Sequence, residues 1–374
     1  MILLKIKVNQ REFNKALTSA LKVVERSTTM PIIKGVLLEV KDGSLYISAT
    51  DLLISIESKI EGLGESEDGS IVVQAANILS EIIKRLPDEE VELETDDSDN
   101  LKIRCSYSDS TLNGVSSDEY PESPQIDGEQ SFSVEKDLLQ DMISKTEFAI
   151  SDDQARPVLT GALLEIENNE MVLVALDGYR LAVRKSEVQN FEGNISMIIP
   201  GKAVRKLSDI LKMLRDEDEK VNMKATKNHV VINCGNVVMT SRLLDGHFLS
   251  YKDIIRNEYN TKVDVDRAMF RGALERASYI DRDGQNSLIK ITVEADSIVI
   301  RSNSDTGNIH EVVPASVEGE PLEIAFNTRY ILDGIKVIDT EKISMYLVGN
   351  IHPCIINPEG DANYTYLILP VRLS

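Results

Sequence analysis

Four histidines are the side chains of this sequence best suited to metal binding or to proton transfer near neutral pH, and their positions indicate neither role. They are His229, His247, His310 and His352. The four share no metal-ligand spacing. His247 follows Gly246 and His352 precedes Pro353, which favours turn or surface positions. Carboxylates are abundant, but nothing in the sequence marks a particular pair for acid–base catalysis.

The catalytic and nucleotide-binding motifs that have a fixed spacing are also missing from the sequence. It contains no GxxxxGK[ST], no GxGxxG after a strand, no HExxH and no GxSxG. We therefore expect no catalytic residue, no metal and no cofactor.

Three cysteines lie more than a hundred residues apart, at Cys105, Cys234 and Cys354. They form no CxxC pair, and their odd number argues against a disulfide framework. Each lies in a segment with the pattern of a strand, so a small buried apolar side chain is the expected role. A reducing cytoplasm is the expected compartment.

The length of 374 residues predicts two or three domains. With 42% apolar and 28% charged residues, the composition is that of a folded protein. The N-terminus alternates polar and apolar residues after Leu4, which indicates a strand and not a signal peptide. No stretch reaches the roughly 18 apolar residues that a membrane helix needs.

An internal repeat is the strongest feature of the sequence. Residues 30–40 have a near copy at 156–166, displaced by 126 positions, and the same displacement places Asp51 on Asp177. A weaker third copy appears where an extended segment leads into a helix, at 71–79, 197–204 and 322–330. One unit of about 125 residues is therefore used three times.

Each unit reads as a strand, a helix, several antiparallel strands, a second helix and further strands, which is an α+β fold. The predicted domains span 1–125, 126–250 and 251–374. The helix predicted over 200–214 shows how the faces divide, since its apolar residues fall within one arc that can lie on a sheet. Two acidic clusters, 96–99 and 216–219, are interpreted as hairpin turns because they lack the glycine and final glutamate of a calcium loop.

The net charge of −21 argues against nucleic-acid binding unless the charge is unevenly distributed. The six predicted helices lie at residues 10–26, 74–86, 135–147, 200–214, 264–277 and 326–338. In that order they carry charges of +2, +1, −2, +3, 0 and +1, which leaves −26 for all other residues. If the helices share a face, that face is positive inside an acidic shell. The alternative is that helices simply favour Lys and Arg, and the 135–147 helix does not support a positive face.

Three segments carry a resemblance to a known family: 175–182 (ALDGYRLA), 241–248 (SRLLDGHF) and 366–373 (YLILPVRL). With the length and the triplication, they make the chain similar to the bacterial sliding clamps, the β subunits of DNA polymerase III. The resemblance implies three clamp domains, each with two helices on curved antiparallel sheets. Two chains would form a head-to-tail homodimeric ring around duplex DNA. Such a ring is a non-catalytic processivity factor that tethers the replicative polymerase, and its compartment would be the cytoplasm, at the nucleoid.

The resemblance also assigns roles to particular residues. The dimer interface would include Tyr107, Tyr279 and Ile280. The DNA-facing candidates are Arg26, Lys202 and Arg205, whose contacts should be few and weak because a tight grip would oppose sliding.

A cleft between the second and third domains would bind short linear motifs of the polymerase, the clamp loader and repair proteins. Matched residue by residue, it comprises Leu159, Leu176, Gly178, Tyr179, Arg180, Leu181, Leu249, Ile254, Ile351, Pro353, Leu367, Leu369, Pro370, Val371 and Arg372. Tyr179 replaces a common His and Leu249 a common Pro, and Ser374 extends the usual C-terminus. For Leu159 and Leu181, plain core packing is an equal alternative.

Two other functions stay open at this point. One is a hydrolase or nucleotidyl transferase whose site is assembled across the repeats. The other is a protein-interaction hub with no role on DNA.

Overall fold

The computed structural model describes residues 4–25, 28–122, 124, 130–188, 191, 193–214, 220–256, 258–279, 288–304 and 307–372. The chain divides into two units. Unit 1 consists of Met1–Gln140 and Arg205–Leu243, and unit 2 consists of Asp141–Val204 and Leu244–Ser374.

Seven helices form within the described residues, and six of them are the predicted ones. They are α1 (Gln10–Ala20), α2 (Ala76–Arg85), α3 (Lys136–Ser144), α4 (Gly201–Leu211), α5 (Tyr251–Ile254), α6 (Arg267–Ser278) and α7 (Thr328–Lys336). The prediction for α4 was wrong at both ends, because Pro200 is the last residue of a strand and the helix ends before Leu214. The single turn of α5 was not predicted, since four residues are too few for a helical period.

Twenty-four strands are present in the described part of the chain. In order they are β1 (Lys5–Asn9), β2 (Val36–Lys41), β3 (Ser44–Thr50), β4 (Ile54–Ile60), β5 (Gly69–Val73), β6 (Glu90–Thr95), β7 (Asn100–Cys105), β8 (Ser108–Val115), β9 (Gln130–Glu135), β10 (Gly161–Glu167), β11 (Glu170–Leu176), β12 (Arg180–Glu187), β13 (Ile195–Pro200), β14 (Lys220–Ala225), β15 (His229–Cys234), β16 (Val237–Arg242), β17 (Thr261–Asp266), β18 (Leu288–Val293), β19 (Ser297–Ser304), β20 (Gly307–Gly319), β21 (Leu322–Asn327), β22 (Lys342–Leu347), β23 (Cys354–Pro358) and β24 (Tyr364–Ile368).

The strands of unit 1 form one sheet in the order β1-β6-β7-β8-β5-β2-β3-β4-β16-β15-β14-β9. Every pairing in it is antiparallel, as the alternation of apolar and polar residues predicts. β4 pairs with β16 from Ile54 opposite Ser241 to Ser58 opposite Val237. The sheet of the first repeat therefore continues into strands of the second.

Unit 2 repeats this plan in the order β13-β10-β11-β12-β24-β23-β22-β17-β20-β19-β18-β21. Here β12 pairs with β24 from Arg180 opposite Ile368 to Arg184 opposite Tyr364, which joins the second repeat to the third. The long strand β20 changes partner along its length. It pairs with β19 up to Pro314 and with β17 from Ala315.

Most helices begin directly after a strand, and asparagine caps set the first residues of α1 and α7. Asn9 accepts hydrogen bonds from Arg11 N and Glu12 N at the start of α1, and Asn327 does the same for α7. α1 packs against α2, and α6 packs against α7. No helix in the described residues is long and apolar enough to span a membrane.

The remaining sequence features fall where the patterns place them. Asp96 begins the turn between β6 and β7, and its carboxylate accepts from Ser98 N and Asn100 N, so the first acidic cluster is a hairpin turn. The second cluster, 216–219, lies outside the described residues. The three cysteines are buried at strand ends, as expected.

Candidate functional site

A hairpin tip between β11 and β12 carries the centre of the expected cleft, which lies wholly in unit 2. Asp177 Oδ1 accepts hydrogen bonds from Tyr179 N (2.8 Å) and Arg180 N (3.0 Å), which closes the turn. Gly178 has φ +94°, a conformation that side chains disfavour, and a Cβ there would lie 3.0 Å from Arg156 Nη1. The turn leaves the Tyr179 ring 57% exposed.

Below this tip lies a cluster of aliphatic side chains from β10, β11, β12 and their neighbours. Its buried members are Leu159, Leu163, Val172, Val174, Leu176, Leu181, Val183, Ile198, Tyr251 and Leu367, and Val158, Leu244, Phe248, Ile255 and Ile355 pack against it half-buried. Leu159 and Leu181 are 1% and 2% exposed, which is what the core-packing alternative requires. The four predicted cleft leucines in this cluster form the floor of the site.

Most of the other apolar positions predicted for the cleft carry exposed side chains in the same unit. They are Tyr179, Leu249, Ile254, Ile351, Leu369 and Val371, each at least one-third exposed. Pro353 and Pro370 are half-buried, and Arg372 is exposed. Scattered exposed apolar residues are ordinary, but six in one unit beside an apolar floor resemble a docking surface.

The C-terminal segment is tied down on both sides of the site. Leu369 N donates to Tyr179 O (2.8 Å), and Val371 N donates to Ala325 O (2.8 Å). These bonds keep a chain end from fraying and fix Leu369 beside the hairpin tip. Leu373 and Ser374 lie outside the described residues.

Arg180 was expected to line the cleft, and the structure places its side chain in the protein interior, 8% exposed. Its guanidinium donates to Asp177 Oδ2 (3.0 Å), Asp333 Oδ2 (2.7 Å) and Phe148 O (2.7 Å). It also lies 4.5 Å from the ring centroid of Tyr330. Burial alone would lower the pKa of Arg180, but the hydrogen bond to Asp333 and the nearby carboxylates outweigh it and raise the pKa. Arg180 therefore holds the hairpin tip in place from below.

Several residues of this site were missed by the sequence reasoning. Tyr330 stacks on Tyr179 with ring centroids 5.9 Å apart, and Asp333 on the same helix anchors Arg180. Arg156 lies over Gly178. The repeat did contain a signal for Arg156, since it aligns with Met30 at the start of the duplicated segment.

The described residues among those expected at a dimer interface and at DNA are divided between the two units. Tyr107 is fully exposed in the turn between β7 and β8, and Tyr279, 63% exposed, follows α6. Lys202 is half-buried and Arg205 exposed on α4. Arg26 and Ile280 lie outside the described residues.

Among the described residues, no group of three or more His, Cys, Asp or Glu side chains is arranged to hold a metal ion. The site has an apolar floor, an exposed apolar rim and a buried ionic anchor. Such a surface can bind an apolar peptide segment, and it presents no nucleophile next to a base.

Comparison with known proteins identifies the family. Models of the DNA polymerase III beta subunit match residues 4–124 (N-terminal domain), 133–249 (central domain) and 252–372 (C-terminal domain). The beta sliding clamp of Staphylococcus aureus (strain Mu50) is 34% identical over 369 residues, covering 96% of this chain and 97% of that protein.

Solved structures agree with this match. The DNA polymerase sliding clamp of Bacillus subtilis has a TM-score of 0.93 at 34% identity, and the DNA polymerase III beta subunit of Thermotoga maritima one of 0.92 at 31%. Each comparison covers 99% of this chain and 100% of the other. The chain therefore belongs to the DNA polymerase III beta subunit family and is a sliding clamp of DNA replication, a non-catalytic processivity factor.

Proposed function

We propose that two copies of this chain join head to tail into a ring that encircles duplex DNA, and that the cleft of unit 2 tethers the replicative polymerase to it. The clamp loader and repair proteins would use the same cleft through short linear motifs. The observation that carries the ring is one stretch of strand in each unit, in β8 and in β20, that pairs along one side only within the described residues.

The first of these edges is in unit 1. Residues 108–113 of β8 pair with β7, and only Gly114 and Val115 pair with β5 on the other side. Tyr107 precedes this edge, and Ile78 of α2, 56% exposed, lines a depression that also includes Ser108 and Ser110. An open edge with apolar neighbours favours pairing with another strand.

The second edge is in unit 2. Residues 307–314 of β20 pair with β19 alone within the described chain, and Val312 there is 55% exposed. Tyr279 at the end of α6 and Met269 are further exposed apolar side chains of this unit. Joining this edge to the first edge of another copy is a heterologous contact, which must close into a ring or continue as a fibre. A ring of two copies leaves neither edge open.

The DNA would face the helices. Lys22, just after α1, forms an ion pair with Asp209 of α4 (3.5 Å), so helices of two repeats lie side by side in unit 1. The proposed contacts are Arg26, Lys202 and Arg205. Few contacts are expected, because affinity that rests on many phosphates would slow sliding.

We further propose domain limits of 1–125, 126–250 and 251–374, and residence at the nucleoid. The three family matches fall one within each of these ranges, which supports the limits.

Retention on circular DNA tests the ring. The purified chain is loaded onto nicked circular DNA by its cognate loader and passed through a sizing column before and after the circle is linearised. Retention on the circle and loss from the linear form are expected. Equal retention on both would mean ordinary binding and would refute encirclement, and no retention with a competent loader would favour a protein hub without a DNA role.

Substitution in the cleft tests the second part of the proposal. Leu249→Ser and Ile351→Ser remove exposed apolar rim residues without disturbing the core, so the homodimer should still form in sedimentation. Loading onto circles should fall, because the loader is proposed to use the same cleft. Polymerase processivity on primed DNA should fall. Unchanged processivity would place the polymerase contact elsewhere.

A further inference from the structure

Exposed large apolar side chains of this chain fall into groups, and one group has no part in the ring or the cleft. That group is Leu52 and Leu53, 56% and 57% exposed at the hairpin tip between β3 and β4. Both lie in unit 1. Two adjacent leucines at the tip of a polar turn are unusual, because solvent-exposed turns favour small and polar residues.

This tip is the counterpart, in the first repeat, of the Tyr179 tip. Asp51 Oδ1 accepts from Leu53 N (3.0 Å) and Ile54 N (2.8 Å), as Asp177 does from the residues displaced by 126 positions. Leu53 O accepts from Arg242 N (2.9 Å), as Tyr179 O accepts from Leu369 N (2.8 Å). The two tips therefore have equivalent backbone hydrogen bonds.

The floor below the two tips differs. Where the second repeat has Leu176 and Leu181, the first has Thr50 and Ser55. The Thr50 hydroxyl donates to Ile54 O (3.0 Å) and accepts from Leu52 N (3.0 Å) and from the Ser55 hydroxyl (3.0 Å). Polar side chains thus replace the two floor leucines nearest the tip, so a ligand of the first tip would bind on the outside, against the leucines themselves.

Leu52 is held in a strained conformation. Its φ is +73°, in the left-handed region that bulky side chains avoid, and the counterpart Gly178 satisfies the same turn without strain. Strain that a glycine would remove is a feature of functional positions.

The charge beside the tip selects the kind of ligand. Arg242, bonded to Leu53 through its backbone, is exposed, and so is Lys227. Asn228, next to Lys227, accepts from Leu243 N (2.8 Å), which holds this turn against the same strand end. The exposed Arg242 and Lys227, on the elements bonded to this tip, favour an acidic segment with aliphatic side chains over a basic one, and the Asp51 carboxylate already accepts two backbone hydrogen bonds.

We propose that Leu52, Leu53, Lys227 and Arg242 form a second docking surface, the leucine tip, which binds an acidic linear segment of a partner protein through aliphatic side chains. It is independent of the cleft in unit 2. A ring of two copies would then present two kinds of docking site, so one partner could hold the leucine tip while another occupies the cleft.

A synthetic peptide can test the leucine tip without knowledge of the partner. The probe is a fluorescein-labelled 12-residue peptide of Asp and Glu around a central Leu-Leu-x-Leu, titrated with the full-length protein and followed by anisotropy. Leu52→Gly and Leu53→Ser should each weaken binding about tenfold or more. Leu52→Gly suits the turn, so a loss of binding there is not a loss of folding. Arg242→Glu should also weaken binding, and added salt should weaken the wild type.

Matched controls separate this proposal from the cleft. In a Leu249→Ser and Ile351→Ser background, which weakens the cleft, the acidic peptide should still bind, and a peptide with Lys in place of the acidic residues should bind at least tenfold more weakly. Failure of the acidic peptide to bind at millimolar protein would overturn the proposal, as would equal binding by the Leu53→Ser variant. A change in oligomeric state in Leu52→Gly, seen by sedimentation, would assign the surface to contact between copies and also overturn it.

Discussion

Replacing Arg180 by Met should destabilise the protein severely although the shape of the side chain is nearly kept. Arg180 is 8% exposed and makes three side-chain hydrogen bonds, two of them to carboxylates. Methionine fills much of the same volume but leaves Asp177 and Asp333 without their shared cation. Breaking a buried ion pair by removing one partner costs about 3–5 kcal/mol.

The structure places the expected cost at the lower end of that range. Asp177 keeps its two backbone donors, and the Asp333 side chain is 22% exposed, so water can partly solvate it. We expect a loss of about 3 kcal/mol. For a unit of this size, 1 kcal/mol shifts the unfolding midpoint by about 2–4 °C, so the midpoint should fall by about 6–12 °C.

Arg329 provides a matched control for this experiment. It lies 4.0 Å from the same Asp333 carboxylate, but its side chain is 82% exposed. Arg329→Met should therefore cost less than about 1 kcal/mol. Scanning calorimetry of both variants measures the difference. If the two midpoints agree within about 2 °C, the burial of Arg180 contributes nothing and the argument fails.

Three further perturbations have definite expected outcomes. Gly334→Ala should lower the free energy of unfolding by about 1–3 kcal/mol, because its Cβ would lie 2.3 Å from the buried ring of Tyr366. An unfolding midpoint equal to that of the wild type in calorimetry would contradict this packing. The cysteines should react with a thiol reagent only in denaturant, since burial raises the pKa of Cys354 far above its usual range; rapid labelling of native protein would refute this. Tyr107→Asp should weaken the proposed homodimer about tenfold or more in sedimentation, because it puts a charge beside an open strand edge, and an unchanged dissociation constant would exclude Tyr107 from the interface.

Much of this fold could be read from local sequence patterns. The displacement of 126 positions predicted that Asp51 and Asp177 are equivalent residues, and the structure gives both the same turn with the same hydrogen bonds. Helices such as α2 and α7 were predicted within two residues because apolar periodicity and capping are local properties. The pairing of β4 with β16 and of β12 with β24 was beyond such patterns, since its partners are well over a hundred residues apart.

The candidate site was predicted less completely, for the same reason. The resemblance placed Arg180 on the surface of the cleft, but its burial depends on Phe148 and Asp333, which are 32 and 153 residues away. Tyr330 ends the third-repeat segment 322–330, yet its stacking on Tyr179 follows only from the folded sheet. Residue types predicted the apolar character of the site, and long-range packing decided which of them are exposed.

The pairing of β12 with β24 has a consequence for protein synthesis. β12 ends at Glu187, while its partner is not complete until Ile368, the end of the last strand. At about 5–20 residues per second, the ribosome needs on the order of 10–40 s to make the intervening chain. During that time β12 has an open edge with Leu181, Ala182 and Val183 in its first half, and an unpaired edge can pair with other nascent chains. The edge of β12 is therefore covered only when translation is nearly finished. A premature stop before residue 364 should yield a product that aggregates and not a shortened clamp.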